Sequence, residues 1–131
     1  MTGKDFNGMT AYLYVGLGGA LGAMLRYALS MVTVKTDFPM MTFFTNFLGA
    51  IVIGLVVGLA AEGSVRSDSL MLFLKTGFCG GFTTFSTFSL ETLNLFENRN
   101  YGMGACYAGL SLICCVAGVW IGKGIADFIA G

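Results

Sequence analysis

Charged residues are rare in this chain and lie far apart, so they divide it into long apolar runs. A membrane-spanning helix needs about 20 consecutive, mainly apolar residues. Three uncharged runs reach that length, with 20, 24 and 23 residues: Phe6 to Leu25, Phe38 to Ala61 and Asn100 to Gly122. A fourth apolar stretch, residues 69–94, is interrupted by Lys75 and Glu91. The pattern therefore predicts four membrane spans, of which the third is the most polar.

This pattern predicts an all-α integral membrane protein in which residues 1–131 form one four-helix membrane domain. We expect helices over about residues 11–34, 41–61, 69–96 and 101–129, joined by short polar links that could not hold a second domain. The first segment lacks a basic region followed by a small-residue cleavage site. We therefore expect it to be retained rather than removed as a signal peptide.

Composition agrees with this assignment and excludes several classes of protein. Hydrophobic residues make up 56% of the chain and charged residues 11%, against roughly 25% charged in soluble domains. These values exclude a disordered chain, a basic nucleic-acid binder and a soluble enzyme with a solvated surface. The chain has no His, the commonest general base and metal ligand, and we predict that it is not an enzyme.

Each predicted helix carries one pair of glycines four residues apart. Since no hydrophobic force drives helices together in lipid, close backbone approach through small residues takes its place. One pair in every helix favours a tightly packed bundle over four separate anchors. The pairs are Gly18/Gly22, Gly54/Gly58, Gly77/Gly81 and Gly118/Gly122.

The distribution of Lys and Arg leaves the membrane orientation open. Four spans place both termini on one side of the bilayer, and four basic residues lie on that side against three on the other: Lys4, Arg66, Lys75 and Lys123 against Arg26, Lys35 and Arg99. The positive-inside rule needs a clear excess to choose an orientation. One alternative is a topology fixed by one or two charges. The other is dual topology, which allows an antiparallel two-fold homodimer to form from one sequence.

The third span contains the segment TGFCGGFTTFSTFSLE, residues 76–91. Gly costs a helix roughly 1 kcal/mol relative to Ala, and the β-branched pair Thr83-Thr84 follows directly. We therefore expect this helix to be broken at Gly80-Gly81. Backbone groups freed at membrane depth are tolerated only beside protein or a water-filled cavity, and in transporters the carbonyls of such breaks bind cations.

The same segment combines hydroxyl groups with phenyl rings. Phe82, Phe85 and Phe88 recur every three residues and are expected to form a stripe along one side of the helix. One interpretation is packing, with the hydroxyls bonded to carbonyls one turn earlier. The other is a pathway for a small anion, because hydroxyls donate hydrogen bonds without carrying charge and phenyl edges are electropositive. The hydroxyl residues are Thr83, Thr84, Ser86, Thr87 and Ser89.

Polar side chains in the other spans raise the same two alternatives. Asn46 lies in an apolar run, so its amide must find a partner, either on another helix or on a permeating species. Arg26 is expected to snorkel or to lie at an inner vestibule. Tyr107 and Ser111 are one helical turn apart and could extend a polar line toward Thr87, although Tyr107 equally fits an interfacial aromatic residue.

These motifs resemble those of the Fluc family of bacterial fluoride channels, also called CrcB. The first span carries GGALGAMLRY, residues 18–27, similar to the family's GGxxGAxxRY. The second carries Asn46 followed by Gly49, similar to NxxG, and the third carries GFCGGFTTFSTF, residues 77–88, the most specific piece. The resemblance covers essentially the whole chain.

The resemblance implies passive, highly selective F⁻ export across the bacterial inner membrane through two pores in an antiparallel, dual-topology homodimer. It implies that Arg26 lies near a pore vestibule. It also implies a structural Na⁺ at the dimer interface, held by the backbone carbonyls of Gly80 and Thr83. The implied partners are fluoride, the lipid bilayer and a second copy of the chain, with no nucleic acid. The implied pore residues are Asn46, Phe85, Phe88, Ser86, Thr87, Tyr107 and Ser111.

Two other functions remain to be weighed from the residues. A small dual-topology, proton-coupled multidrug exporter also has four spans, but it needs a carboxylate deep in the first span. No acid lies between Phe6 and Val34, and Glu91 is the only acid well inside a predicted span. A non-transporting membrane scaffold subunit is the second alternative, and it predicts that the polar groups bond only to one another.

Overall fold

The structure, a computed structural model, describes residues 8–131, and over these residues it contains helices and no strands. The all-α prediction is confirmed for this part of the chain. Lys4 and the start of the first uncharged run lie outside the described residues. The intact helices are α1 (Gly8–Ser30), α2 (Met40–Ala61) and α4 (Tyr101–Ala130).

The third helix, α3, is broken into two halves. The second half, α3b, spans Phe85–Glu97. The first half, α3a, is itself composite: it is α-helical over Asp68–Met71, π-helical over Leu72–Cys79 and α-helical over Gly80–Phe82. Within residues 8–131, α1, α2 and α4 are long and apolar enough to cross a membrane. The halves of α3 are each too short to do so alone.

Glycines bring α1 and α3a into backbone contact. A Cβ added at Gly18 would collide with the carbonyl oxygen of Phe73, and one added at Gly81 would collide with the carbonyl of Gly19. Gly77 packs in the same way, since its Cβ would lie 2.8 Å from the carbonyl oxygen of Val15. The predicted use of small residues for close helix packing is confirmed at this interface.

The α2–α4 interface uses the remaining glycine pairs. A Cβ at Gly54 would meet the carbonyl oxygen of Val119, and one at Gly122 would meet that of Ile51. Gly58 would place its Cβ 2.6 Å from Ala126 Cβ. The fold therefore consists of two tightly packed helix pairs, α1 with α3a and α2 with α4, and α3b packs against α4.

Helix α1 ends at Ser30, four residues before the predicted end at Val34. Its last turn tightens, because the amides of Met31 and Val32 donate to Ala28 and Leu29, three residues back, at 3.2 and 3.1 Å. The β-branched Thr33 and Val34 then continue as loop. β-Branched side chains lose rotamer freedom in a helix, which favours an early end.

The predicted break at Gly80-Gly81 is wrong by about one turn. Gly80 is helical, with φ −62° and ψ −39°, and Gly81 is held against the backbone of α1. The break lies at Thr83 (φ −88°, ψ 159°) and Thr84 (φ −148°, ψ 116°). Glycine here serves helix packing, whereas the β-branched threonines adopt the extended backbone that suits them.

The break also rotates the halves of α3, so the predicted single stripe of phenylalanines is wrong. Phe82 ends α3a, is 2% exposed and stacks on Phe78 with ring centroids 5.6 Å apart. Phe85 and Phe88 lie on α3b and contact each other, with centroids 5.6 Å apart. The three-residue spacing predicted one face only because it assumed a continuous helix.

Candidate functional site

Asn46 of α2 bridges the break in α3. Its Nδ2 donates to the carbonyl oxygen of Thr84 at 3.1 Å, and its Oδ1 accepts from the backbone N–H of Thr84 at 2.7 Å. The side-chain amide thereby satisfies both backbone groups of a residue that lies outside any helix. Of the two roles left open for Asn46, the structure provides the helix–helix partner, and one Nδ2 hydrogen remains for a second bond.

Arg26 of α1 contacts the same break. Its Nε donates to the carbonyl oxygen of Gly81 at 3.0 Å, and the side chain is half-buried. In a continuous helix this carbonyl would accept from the amide of residue 85, so Arg26 supplies a replacement donor. The side chain is therefore attached to the break, which snorkelling toward the membrane surface would not achieve.

Thr84 begins α3b as its N-cap. Its Oγ1 accepts from the backbone N–H of Thr87 at 3.2 Å and lies 3.4 Å from the Ser86 hydroxyl. Thr83 Oγ1 donates to the carbonyl of Cys79 at 2.8 Å, and Ser89 Oγ donates to that of Phe85 at 2.9 Å. Part of the hydroxyl cluster thus caps or bonds back to its own helix.

A cavity of about 580 Å³ lies beside the break, between α2, α3 and α4. It brings together four of the seven predicted pore residues, together with the two predicted carbonyl donors Gly80 and Thr83. Ser86, Thr87 and Tyr107 do not line it. The four predicted pore residues that do are Asn46, Phe85, Phe88 and Ser111.

Two phenyl rings form the aromatic part of this cavity. Phe88 is half-buried, whereas Phe85 is 80% exposed in the single chain. Phe88 also packs on Tyr107, with ring centroids 5.1 Å apart and planes inclined by 53°. The rings therefore run from the open side of the cavity inward to α4.

Ser111 of α4 presents a buried hydroxyl at this cavity. The residue is 6% exposed, and its Oγ has no hydrogen-bond partner within residues 8–131. A buried hydroxyl without a partner costs about 1–3 kcal/mol. Such a group requires an explanation, and a bound polar species in the cavity would supply the missing partner.

Tyr107 is fully buried and connects to an acid that the sequence left without a role. Its hydroxyl donates to Oε1 of Glu91 at 3.1 Å, which explains how a carboxylate is accommodated in α3b. Phe38 closes the other side of the ring, with centroids 5.3 Å apart. The interfacial alternative for Tyr107 is wrong, since a belt residue would expose its hydroxyl at the membrane surface.

A second cavity of about 460 Å³ lies at the other side of Glu91, between the α1–α2 loop and the end of α3b. Its lining is polar and includes Asp37, Glu91, Asn94 and Asn98. We call this second cavity the polar cup. Because Glu91 lines the polar cup and bonds to Tyr107, which packs on Phe88, these residues connect the polar cup to the first cavity. Sequence reasoning missed this cup because its residues come from a loop and a helix end far apart in the chain. The sequence offered one sign of this cavity, the acid Glu91 inside the third span, to which no role was assigned.

These features define a class of protein. Long apolar helices with largely exposed apolar side chains and a side-chain-capped helix break describe a multi-pass membrane protein. A line of polar and aromatic groups runs through its interior, as in proteins that move small solutes.

Comparison with known proteins shows to which family of membrane proteins the chain belongs. Residues 13–123 match the family described as CrcB-like protein, Camphor Resistance (CrcB). The chain is similar to the fluoride-specific ion channel FluC of Clostridium novyi (strain NT), with 43% identity over 89% of the chain and 94% of that protein. It is also similar to the FluC of Azobacteroides pseudotrichonymphae genomovar. CFP2, with 38% identity over 87% of the chain and 94% of that protein. The chain belongs to the CrcB family, as the motifs of the first three spans predicted.

Proposed function

We propose that this protein is a passive, fluoride-selective channel that exports F⁻ across the bacterial inner membrane as a multi-pass protein. The observation that carries the proposal is the cavity that holds Phe85, Phe88 and Asn46 beside the unpartnered hydroxyl of Ser111. The relatives named above are fluoride-specific channels, which supports fluoride as the permeating ion and a channel rather than an enzyme.

The chemistry of the lining suits a small, hard anion. The Ser111 hydroxyl and the remaining Nδ2 hydrogen of Asn46 can each donate a hydrogen bond, and phenyl edges present positive quadrupole density. Each contact is weak, so the ion can leave as readily as it binds, which conduction requires. The proposed route takes F⁻ from the polar cup, past Glu91 and Tyr107, to Phe88 and the cavity. Thr87 and Ser86, at the start of α3b, would supply further hydroxyls along it.

We propose that the working unit is an antiparallel, dual-topology homodimer with two pores. Phe85 is 80% exposed, and the main cavity is open along one side of the single chain. A pathway for an anion needs protein around it, and a second copy would close this side. The near balance of Lys and Arg across the four spans is compatible with both orientations.

The residues at the break also suit the structural Na⁺ implied by the family. The Gly80 carbonyl lacks its usual helical partner, because the amide of Thr84 donates to Asn46 instead. Gly80 and Thr83 both line the open cavity, and nothing lies within 4 Å of a Cβ placed at Gly80. Carbonyls of these two residues would hold the cation and fix the break, where oxygen dipoles favour a hard ion.

Fluoride efflux from proteoliposomes, followed with a fluoride electrode, tests the proposal. We expect passive F⁻ efflux from the full-length protein and none of Cl⁻ under the same gradient. Phe85→Ile and Phe88→Ile should each slow F⁻ efflux by at least tenfold while the protein elutes unchanged from size-exclusion chromatography. Normal flux in both variants would exclude a phenylalanine-lined pathway.

The same vesicles separate the alternative functions. A proton-coupled exporter would dissipate a pH gradient when a cationic drug is added, with no need for fluoride. A scaffold subunit would give no ion flux at all. We expect neither result.

A further inference from the structure

Lys75 lies in the π-helical part of α3a and lines the main cavity from an exposed position. A lysine within a membrane-spanning segment is costly unless it pairs or reaches water. Within residues 8–131 the structure has no ion pair to the Lys75 ammonium. No carboxylate of the described residues therefore cancels its charge.

The electrostatic setting of Lys75 is unusual for this chain. Among residues 8–131 the cavity lining contains no Asp, Glu or Arg, and Lys75 is the only permanently charged side chain that these residues contribute to it. The same lining contains Phe85, Phe88 and the Ser111 hydroxyl. An uncompensated cationic side chain on a cavity with low-dielectric walls raises the local concentration of small anions.

We propose that Lys75 is an electrostatic guide that draws fluoride to the main-cavity end of the pathway. This inference rests on the proposed channel function and adds to it a residue that sets throughput. Lys75 acts at a distance through its charge, whereas the uncharged constriction selects the ion. Its effect therefore falls with ionic strength, and it leaves the preference for F⁻ over Cl⁻ unchanged.

The competing interpretation is a snorkelling lysine that only anchors α3a at the lipid headgroups. An anchor affects insertion and stability, and its loss would change flux equally at low and high salt. The Debye length is about 30 Å at 0.01 M and 3 Å at 1 M ionic strength. Salt titration therefore separates the two roles.

The experiment measures F⁻ efflux from proteoliposomes at a fixed fluoride gradient, with an impermeant salt setting the ionic strength at about 0.01 M or 1 M. We expect Lys75→Gln to lower flux about threefold and Lys75→Glu about tenfold at low ionic strength, and both to come within about twofold of the original protein at high ionic strength. Lys75→Arg keeps the charge and should conduct normally. Lys123→Gln is the matched control, since Lys123 is exposed on α4 and does not line the cavity.

The possible outcomes distinguish a failure of the guide role of Lys75 from a failure of the channel function. Unchanged flux of Lys75→Gln at low ionic strength, or an equal loss at both ionic strengths, overturns the guide role while leaving the channel intact. Absence of F⁻ flux from the original protein refutes the proposed function, and the guide role with it. Normal flux of Lys75→Arg shows that the position tolerates substitution, so a loss in Lys75→Gln reflects the charge.

Discussion

The two halves of α3 follow one another in the chain, but different kinds of contact hold them in the bundle. α3a packs through its own backbone, with Gly77 and Gly81 lying against the main chain of α1. α3b is held through side chains: Glu91 accepts from Tyr107, and Phe88 packs on the same ring. Backbone contacts leave no rotamers to adjust, whereas side chains can rearrange around a passing ion. α3a therefore forms the rigid scaffold, with Lys75 at its cavity face, and α3b carries the phenylalanines of the proposed pathway.

The largest expected effect comes from disturbing the scaffold. A Cβ at Gly22 of α1 would collide with the carbonyl oxygen of Phe78 and lie 2.7 Å from the amide of Phe82. Because backbone cannot move aside without separating the helices, Gly22→Ala should lower the free energy of unfolding by about 3 kcal/mol. Denaturation in detergent, followed by circular dichroism, measures the loss.

Gly16→Ala is the matched control on the same helix, since nothing lies within 4 Å of a Cβ at that position. It should not lower stability, and because Ala has the higher helix propensity it should raise the unfolding free energy by up to about 1 kcal/mol. Similar stability of the two variants would mean that α1 and α3a do not pack through their backbones, and the distinction between the halves of α3 would fail.

The next effect lies at the junction of the two halves. Asn46→Ala leaves the N–H and the carbonyl of Thr84 without partners, which should cost about 2 kcal/mol of unfolding free energy. Fluoride flux should fall as well, because α3b would lose its fixed orientation. Thr92→Ala serves as the control: its hydroxyl donates to the Phe88 carbonyl one turn earlier, and its loss frees no backbone group outside a helix. Equal stability of both variants would show that the break in α3 is stable without the hydrogen bonds from Asn46.

Much of the fold could be predicted from the sequence, because lipid imposes simple rules on length and charge. Charge spacing placed α2 and α4 within a residue of their observed ends, and the glycine pairs predicted a tightly packed bundle, although not which helices pair. The break was misplaced because helix propensity rates Gly as the weak residue. Here Gly81 packs against the backbone of α1 and the helix continues through Gly80 and Gly81, while the partner supplied by Asn46 stabilises the break at Thr84.

The site was only partly predictable for a similar reason. Asn46, Phe85, Phe88 and Ser111 do converge on one cavity, and each stood out as a polar or repeated residue in an apolar run. The Glu91–Tyr107 bond could not be read from the chain, because it depends on how α3b turns after the break. A continuous helix would have pointed both Glu91 and the phenylalanines elsewhere.

A smaller effect is expected within the side-chain half. Tyr107→Phe removes the hydroxyl that donates to Glu91 and keeps the ring contacts with Phe88 and Phe38. A hydrogen bond to a carboxylate is worth about 1.5 kcal/mol, and stability should fall by that amount while F⁻ flux falls several-fold. Tyr101→Phe, at the exposed start of α4, should alter neither. Unimpaired flux in Tyr107→Phe would remove its hydroxyl from the proposed route.

The smallest expected effect is a gain in stability. It distinguishes a residue that serves the ion pathway from one that only supports the fold. Ser111→Ala deletes a buried hydroxyl that has no partner within residues 8–131, so it should raise the unfolding free energy by about 1 kcal/mol. If that hydroxyl serves the permeating ion, F⁻ flux should fall in the same variant. If Ser111 only supported the fold, Ser111→Ala would lower stability and leave F⁻ flux normal. Ser89→Ala, whose hydroxyl bonds back to the Phe85 carbonyl, should change neither quantity. A gain of stability with a loss of flux would mean that the chain keeps an unfavourable group at this position for the anion.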